Sequence, residues 1–401
     1  MELKRVDTAL LKMLYLVVAG IVVSQVLGLD SISSALFLLT FPLTMVLWVR
    51  TIRVKLESLD LLVLLIAVLA TISVLVNALI TETIIGFSYI KKLIMFIMSL
   101  LFFQSVNKLR ADKNVVRYIH RVTDLLTLFM IAMYFLRNSQ MYLLNGTKSP
   151  YLTFGFTNPN LTGMFLTCLY MLETYRLFTK EKGWVKIAHV IMAIFLAWFT
   201  LGTRSRNCLL VIVMYTAVCA WLIFRGQREM RVGKLTAVAV AVLPMVFALV
   251  YLMVVNSDWL GRAFAFLIGE GKMLDSRVAI WRNAFEKLNH SPFIGDYSGI
   301  SDGTGVSQLH NTHVDIAVSY GTCILVLVCV FLCKIFYQSG KVYKEKQNYI
   351  YIWGFACAIM LGVGEAALFA GGMAIYVLAG ILLLLSKQEI EVKNHEIRVS
   401  E

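Results

Sequence analysis

Long apolar segments recur along almost the whole chain, and they restrict its possible folds more than any other feature. A helix needs roughly 20 mainly apolar residues to cross a bilayer. By that rule the 401 residues hold about twelve candidate segments. These lie near residues 9–28, 32–49, 59–79, 86–106, 118–136, 158–178, 184–202, 207–224, 235–255, 314–337, 348–366 and 368–386. The sequence therefore predicts an all-α fold, a polytopic integral membrane protein with about twelve transmembrane helices.

The balance of apolar and charged residues agrees with this fold and excludes a soluble domain. Hydrophobic residues make up 59% of the chain and charged residues only 15%. No signal-peptidase site follows the first apolar segment, so we interpret that segment as the first membrane anchor. The formal net charge is +13. Its basic residues are spread over many short loops, which argues against a nucleic-acid partner.

Lysine and arginine residues concentrate in alternate loops, and this predicts the orientation of the chain. If the N-terminus is inside, 26 of the 37 basic residues lie on the inner side. Cytoplasmic loops are enriched in these residues, so both termini are predicted to be cytoplasmic. Seven of the other eleven fall in two places on the outer side. One is the turn with Arg204 and Arg206, and the other is the loop between the ninth and tenth segments.

The predicted organisation is nine transmembrane helices in 1–255, a large extracytoplasmic loop in 256–313, three helices in 314–386 and a cytoplasmic tail in 387–401. Within the loop, Asp275 is a candidate N-cap for an amphipathic helix. Apolar residues recur behind it three or four positions apart, at Val278, Trp281, Phe285 and Leu288. Pro292 and Gly295 are expected to stop this helix.

Arginines on the outer side are candidates for binding a phosphate group. Arg204 and Arg206 lie in a turn so short that both must sit at the membrane interface or point into a cavity. A guanidinium group can donate two parallel hydrogen bonds to phosphate oxygens. The alternative is that these side chains extend to lipid headgroups.

His310 and Asn311 precede the tenth apolar segment, and His310 is a candidate general base. The alternative is a solvated polar residue at the interface. His313 follows at a spacing that one metal ion could bridge on a helix. No third ligand of standard spacing lies nearby, so no metal is predicted.

Three other polar residues near the outer side, Asn311, Glu365 and Asn160, are candidates for substrate binding. Glu365 lies at the outer end of the eleventh segment, although it could instead pair with one of the outer arginines. Asn160 lies where the sixth segment begins, although Asn-Pro-Asn is also a common helix cap. The sequence contains no P-loop or dinucleotide-binding motif, so we expect no cofactor.

Four short motifs together resemble the O-antigen polymerase and ligase superfamily of bacterial membrane glycosyltransferases, which includes Wzy-type polymerases and WaaL-type ligases. They cover roughly the second half of the chain. The motifs are Gly155-Phe156-Thr157-Asn158-Pro159-Asn160; Thr203-Arg204-Ser205-Arg206; Arg277 and Trp281 followed by Ser291-Pro292-Phe293-Ile294-Gly295; and His310-Asn311 followed by Gly321.

This resemblance implies a GT-C-like fold in the bacterial cytoplasmic membrane, with an active site that faces outward. The donor would be a polyprenyl-diphosphate-linked oligosaccharide, and the acceptor a hydroxyl of a second lipid-linked unit. Arg206 and Arg277 would hold the diphosphate, Arg204 and Arg282 would assist, and His310 would activate the hydroxyl. The reaction would be metal-independent and inverting. A chain-length regulator and a flippase of the same pathway would be protein partners, and the lipid bilayer the surroundings.

The preferred function is therefore polymerisation of lipid-linked repeat units for O-antigen, capsule or exopolysaccharide. A ligase that transfers finished glycan to another acceptor shares the same motifs. A flippase or transporter for the same lipids is the alternative from another class, but transporters favour internal repeats and ionisable groups near mid-membrane. A purely structural membrane protein would leave the outer arginines unexplained.

Overall fold

The chain folds almost entirely into α-helices. The computed structural model describes residues 2–80, 87–144, 147–178, 182–225, 231–255, 273–296, 309–340, 346–366, 368–369 and 375–387. The helices in these ranges are α1 Glu2–Val26, α2 Asp30–Val54, α3 Ser58–Ile80, α4 Phe87–Lys108, α5 Lys113–Leu136, α6 Pro159–Thr174, α7 Gly183–Thr203, α8 Arg206–Phe224, α9 Lys234–Val255, α10 Met273–His290, α11 Thr312–Tyr320, α12 Thr322–Ser339, α13 Lys346–Leu361 and α14 Ile375–Leu385. Short 3-10 turns at Asn138–Tyr142 and Tyr175–Phe178 and a two-residue hairpin, β1 Leu143–Leu144 with β2 Thr147–Lys148, complete the described elements.

Nine of the described helices are long and apolar enough to cross a membrane, which confirms the prediction of an all-α, multi-pass membrane protein. They are α1 to α5, α7 to α9 and α12. The helices α6, α13 and α14 coincide with predicted segments but have only 16, 16 and 11 residues. The figure of about twelve transmembrane helices therefore stays a prediction.

The sequence predicted one helix in the tenth apolar segment. The structure has two, α11 and α12, because the helix breaks at Gly321. This glycine has a φ of 98°, and a Cβ atom there would collide with the carbonyl group of Phe293. The segment after α10 satisfies both broken ends. The backbone N–H of Thr322 donates to the Pro292 carbonyl at 2.8 Å, and the N–H of Asp296 donates to Val318 at 2.5 Å.

The amphipathic helix predicted in the large loop is α10, and it ends at His290 as expected before Pro292. Its apolar face is buried against α9 and α11 at Val278, Trp281 and Leu288. The prediction that Asp275 is the N-cap is wrong, because the helix already includes Met273. The amphipathic period fixes the buried face, whereas a capping residue type alone does not fix the first turn.

The two ends of α3 distinguish two faces of the helix bundle. Near its start, Asp60 accepts a hydrogen bond from Gln104 at 3.1 Å and pairs with Lys108 at the end of α4. Near its end, Asn77 donates to the Ile294 carbonyl at 3.0 Å. We call the second side the His310 face and the first the opposite face. Residues 256–272 and 297–308 of the predicted extracytoplasmic loop 256–313, and residues 388–401 of the predicted tail 387–401, lie outside the described residues.

Contacts with the middle of α9, around Pro244, anchor the start of α11. Pro244 lacks a backbone N–H and disturbs the hydrogen bonds of the turn around it. Neighbouring side chains contact the carbonyls there. Asn311 donates to the Pro244 carbonyl at 2.8 Å, and His313 Nε2 lies 2.7 Å from the Ala241 carbonyl.

Candidate functional site

Three helices begin next to one another at the His310 face. The start of α6 touches the start of α8, since the Cys208 thiol lies 3.9 Å from the Asn160 carbonyl. The start of α8 contacts the end of α13 through Asn207, whose amide donates to the Leu361 carbonyl at 2.8 Å. The start of α11 reaches the same place, where the Thr312 N–H donates to the carbonyl of Gly362 at 2.8 Å. Helix N-termini carry partial positive charge, so this face favours anions.

Glu365 lies at the centre of these helix starts and forms a pair with His310. Both of its carboxylate oxygens lie 3.1 Å from His310 Nδ1. Its Oε1 also accepts a hydrogen bond from the Asn160 amide at 2.5 Å. The carboxylate is almost fully buried, with 3% of the side chain exposed, whereas His310 is 21% exposed. The structure thus brings three predicted site residues into direct contact.

The position of His310 is held by its neighbours on both sides along the chain. Trp281 of α10 donates its indole N–H to the carbonyl of Leu309 at 2.7 Å. Asn311 caps α11 by accepting hydrogen bonds from the N–H groups of His313 and Val314. His310 itself has a φ of 49°, a left-handed conformation that costs free energy in a residue with a Cβ atom. Such strain persists where surrounding contacts determine the backbone, and it concentrates at functional sites.

Arg204 and Arg206 occupy the turn between α7 and α8, and both side chains are exposed. Arg204 is also left-handed, with a φ of 55°, and its guanidinium lies 5.7 Å from the centre of the Tyr151 ring. Arg206 is the first residue of α8. No carboxylate among the described residues lies within ion-pair distance of either arginine. Two exposed cations beside helix N-termini form a surface that can bind an anionic group.

Of the two candidate arginines of α10, the structure describes the side chain of Arg282 only. Arg282 is exposed and follows Trp281, so it lies on the helix that holds the residue before His310. Only the backbone is described at the start of α10, so the prediction for the Arg277 side chain lies outside the described residues. The roles predicted for both arginines stay predictions.

The side chain of Asn311 has contacts that favour a structural role. It is fully buried, and its amide nitrogen donates to the carbonyls of Pro244 and Val363 at 2.8 and 3.2 Å. Its amide oxygen is used by the cap of α11. A substrate contact at Asn311 would have to replace one of these buried hydrogen bonds, which is costly.

The two histidines at the start of α11 face different surroundings. His313 is fully buried against α9, whereas His310 reaches the carboxylate of Glu365. The rings therefore contact separate partners, and the pair does not form a two-histidine metal ligand set in this conformation.

Several residues that build the site were missed in the sequence. The Thr312 hydroxyl donates to the Glu365 carbonyl at 2.9 Å, and Asn207 packs against Gly364. Lys92 of α4 forms an ion pair at 2.7 Å with Asp315, which lies in the first turn of α11. Asp315 gave a usable signal, because an acidic residue within an apolar segment requires a partner.

The arrangement at this face has three chemical capabilities. A carboxylate only accepts hydrogen bonds, so His310 Nδ1 carries the proton that it donates to Glu365. Its Nε2 then has a free lone pair, and no described residue is hydrogen-bonded to it. The site can therefore accept a proton at Nε2, orient the imidazole through Glu365, and attract an anion through the helix starts and arginines.

The chain matches no protein-family model and no curated protein. The resemblance to O-antigen polymerases and ligases therefore rests on the four motifs in the sequence.

Proposed function

We propose that this protein is a membrane glycosyltransferase that polymerises polyprenyl-diphosphate-linked oligosaccharide units. The observation that carries the proposal is the His310–Glu365 pair, which adjoins three helix starts and an arginine turn. It combines a positioned base with a surface for an anionic leaving group. Those are the two requirements of glycosyl transfer from a sugar diphosphate.

In the proposed reaction, a sugar hydroxyl of the acceptor attacks the anomeric carbon of the donor. The new glycosidic C–O bond forms while the bond from that carbon to the diphosphate oxygen breaks. The hydroxyl proton passes to His310 Nε2, and the resulting imidazolium is stabilised by Glu365. A single displacement of this kind inverts the anomeric configuration.

The diphosphate leaves with the electron pair of the broken bond, and its charge requires stabilisation. Arg206 and Arg204 are exposed at the start of α8 and can donate hydrogen bonds to its oxygens. Arg277 and Arg282 on α10 are proposed to act from the other side of the donor. Positioned cations of this kind lower the barrier most when the charge develops in the transition state.

We further propose that the His310 face is extracytoplasmic and that the opposite face is cytoplasmic, as the distribution of Lys and Arg predicts. The polyprenyl chains of both substrates would lie in the bilayer beside the helices. Their sugars would then meet where α6, α8 and α11 begin. The protein would act in the bacterial cytoplasmic membrane, with the flippase and chain-length regulator of the pathway as partners.

The proposal is tested with purified protein and a defined polyprenyl-diphosphate-linked repeat unit, without added nucleotide. We expect the wild type to produce a ladder of longer lipid-linked glycans. His310→Ala and Arg206→Ala are each expected to reduce this activity by about 10²- to 10⁴-fold. Products are resolved by gel electrophoresis and mass spectrometry.

Arg225→Ala is the matched control for Arg206→Ala. Arg225 is an exposed arginine at the other end of α8, where it stacks on Trp221 at 4.6 Å. It should leave the ladder unchanged. Equal loss in both arginine variants would contradict the assigned site. A wild type that transfers the lipid across a vesicle bilayer without extending it would replace the polymerase with a flippase.

A further inference from the structure

A second polar cluster lies inside the helix bundle, in the half away from His310. Asp124 is in the middle of α5, Glu173 is near the end of α6, and His189 is in the second turn of α7. Arg176 follows α6 in a 3-10 turn. The Glu173 and His189 side chains are only 1% and 5% exposed. Ionisable side chains at such depth are costly, so their combination requires an explanation.

The cluster offers three potential metal-ligand atoms that converge on one point. His189 Nδ1 lies 2.9 Å from Glu173 Oε2 and 3.9 Å from Asp124 Oδ1. One ligand atom from each residue lies within 4.8 Å of the other two. A single ion placed among them could therefore contact all three.

The second oxygen of each carboxylate is held from outside the cluster. Asp124 Oδ2 accepts a hydrogen bond from Arg176 at 2.8 Å, and Glu173 Oε1 accepts one from Thr127 at 2.8 Å. Outer contacts of this kind fix the direction of metal-binding carboxylates. Each carboxylate thus directs one oxygen into the cluster, while its other oxygen accepts a hydrogen bond from Arg176 or Thr127.

Asp124 Oδ1, the inward oxygen, is buried and has no hydrogen-bond partner among the described residues. A buried carboxylate oxygen without a partner is expensive. A proton shared by Glu173 and His189 would satisfy that pair but would leave Asp124 Oδ1 unsatisfied. A cation with several coordination positions would satisfy all three atoms together.

Formal charge also favours a bound cation. The two carboxylates outnumber the one guanidinium, so with a neutral imidazole the cluster carries one excess negative charge. Burial of an uncompensated charge is unfavourable. The side chain of Asp124 is 25% exposed, so the surrounding helices do not enclose the cluster completely.

We propose that Asp124, Glu173 and His189 form a binding site for a divalent transition-metal ion of the zinc class. One imidazole nitrogen and two carboxylate oxygens are a ligand set that Zn²⁺ accepts, with a remaining position for water. The bound ion would join α5, α6 and α7. Because Asn160 lies in the first turn of α6, at the opposite end from Glu173, the ion would also fix the helix that contacts Glu365. This site is distinct from the glycosyl-transfer site and independent of that function.

The full chain, treated with a chelator and then dialysed against Zn²⁺, tests the proposal. We expect one zinc ion per chain by elemental mass spectrometry and a thermal unfolding midpoint that rises by several degrees. Asp124→Asn, Glu173→Gln and His189→Gln should each lose the bound zinc and the rise. If these variants fail to fold, Co²⁺ added to the wild type must produce the visible absorption bands of a low-symmetry four- or five-coordinate site.

His120→Gln is the matched control, because His120 is a buried histidine one turn before Asp124 on α5. Its Nε2 lies 3.1 Å from the Tyr351 hydroxyl, outside the three-ligand set. This variant should retain the zinc. The proposal is overturned if the wild type binds no zinc, if His120→Gln loses zinc equally, or if pH alone changes the midpoint while Zn²⁺ has no effect.

Discussion

Two carboxylate–histidine pairs in the described part of the chain place a histidine Nδ1 next to a buried glutamate. Glu365 is 3.1 Å from His310, and Glu173 is 2.9 Å from His189. They differ in their positions along the helices. The first pair lies at helix starts and its histidine is 21% exposed, whereas the second lies within helices and its histidine is 5% exposed.

The difference shows that the exposure of the histidine and the residues around the pair determine its possible role more than the carboxylate–histidine contact does. At the His310 face, helix starts and the arginine turn lie on the same side of the protein as an imidazole that is partly exposed. Inside the bundle, Arg176 and Thr127 occupy the outer oxygens of the two carboxylates. The first arrangement suits a reaction with an external molecule, and the second suits a fixed ion or a structural connection.

The largest expected effects come from replacing the glutamate of each pair, Glu365 or Glu173, with glutamine. Glu365→Gln removes the charge that orients and stabilises the His310 imidazolium. We expect kcat for chain extension to fall by about 10²- to 10⁴-fold, with the unfolding midpoint nearly unchanged. Glu173→Gln should leave kcat per folded molecule unchanged and lower the midpoint instead.

The measurement is initial rate at saturating lipid-linked substrate, combined with thermal unfolding of the same preparations. An unchanged rate in Glu365→Gln would show that Glu365 does not support the base. A Glu173→Gln enzyme that stays stable but loses its rate would mean that the two pairs have the opposite roles.

The second-largest effect is expected at the Arg176–Asp124 ion pair, which lies beside Glu173 and His189. Arg176→Met keeps an unbranched apolar side chain but removes the guanidinium, which leaves Asp124 without its 2.8 Å partner. Loss of one member of a buried pair costs about 3–5 kcal/mol, and partial exposure of both side chains reduces this to about 2 kcal/mol.

Unfolding of Arg176→Met in denaturant, with Arg176→Met/Asp124→Asn as the second variant, measures this effect. The double variant should be more stable than the sum of the single changes predicts, because the unpaired charge is then absent. Additive free energies would argue that the two side chains do not interact.

Much of the fold follows from periodic patterns in the sequence. The apolar segments predict the helices because their burial in lipid depends on length and composition alone. The face of α10 with Val278 and Trp281 follows from its spacing. The break at Gly321 could not be predicted, because it depends on the Phe293 carbonyl that approaches from another part of the chain.

The sequence was sufficient to predict which residues belong to the site, but not which of them contact one another. His310, Glu365 and Asn160 were all candidates, yet their meeting depends on how α6, α11 and the end of α13 pack. The cluster around Asp124 was missed, although its residues interrupt apolar segments. Ionisable residues in such segments indicate a buried partner or a bound ion.

The smallest of the three effects concerns the packing that places Glu365 beside the start of α8. A Cβ atom on Gly364 would lie 2.7 Å from the Cβ of Asn207, closer than atoms in contact allow. Neither atom can rotate away, because both are bonded directly to the backbone. Gly364→Ala should therefore displace Glu365 from the arginine turn and lower kcat by about tenfold, roughly 1.4 kcal/mol of barrier.

Gly354→Ala in α13 is the matched control, since its Cβ would meet only the flexible end of Leu382, at 3.1 Å. That side chain can move by a few tenths of an ångström, so the rate should change by less than about twofold. If Gly364→Ala retained the wild-type rate, the spacing between Glu365 and the start of α8 would not matter to the reaction. The carboxylate would then act on His310 alone, and the anion-binding surface would have to be sought nearer to α10.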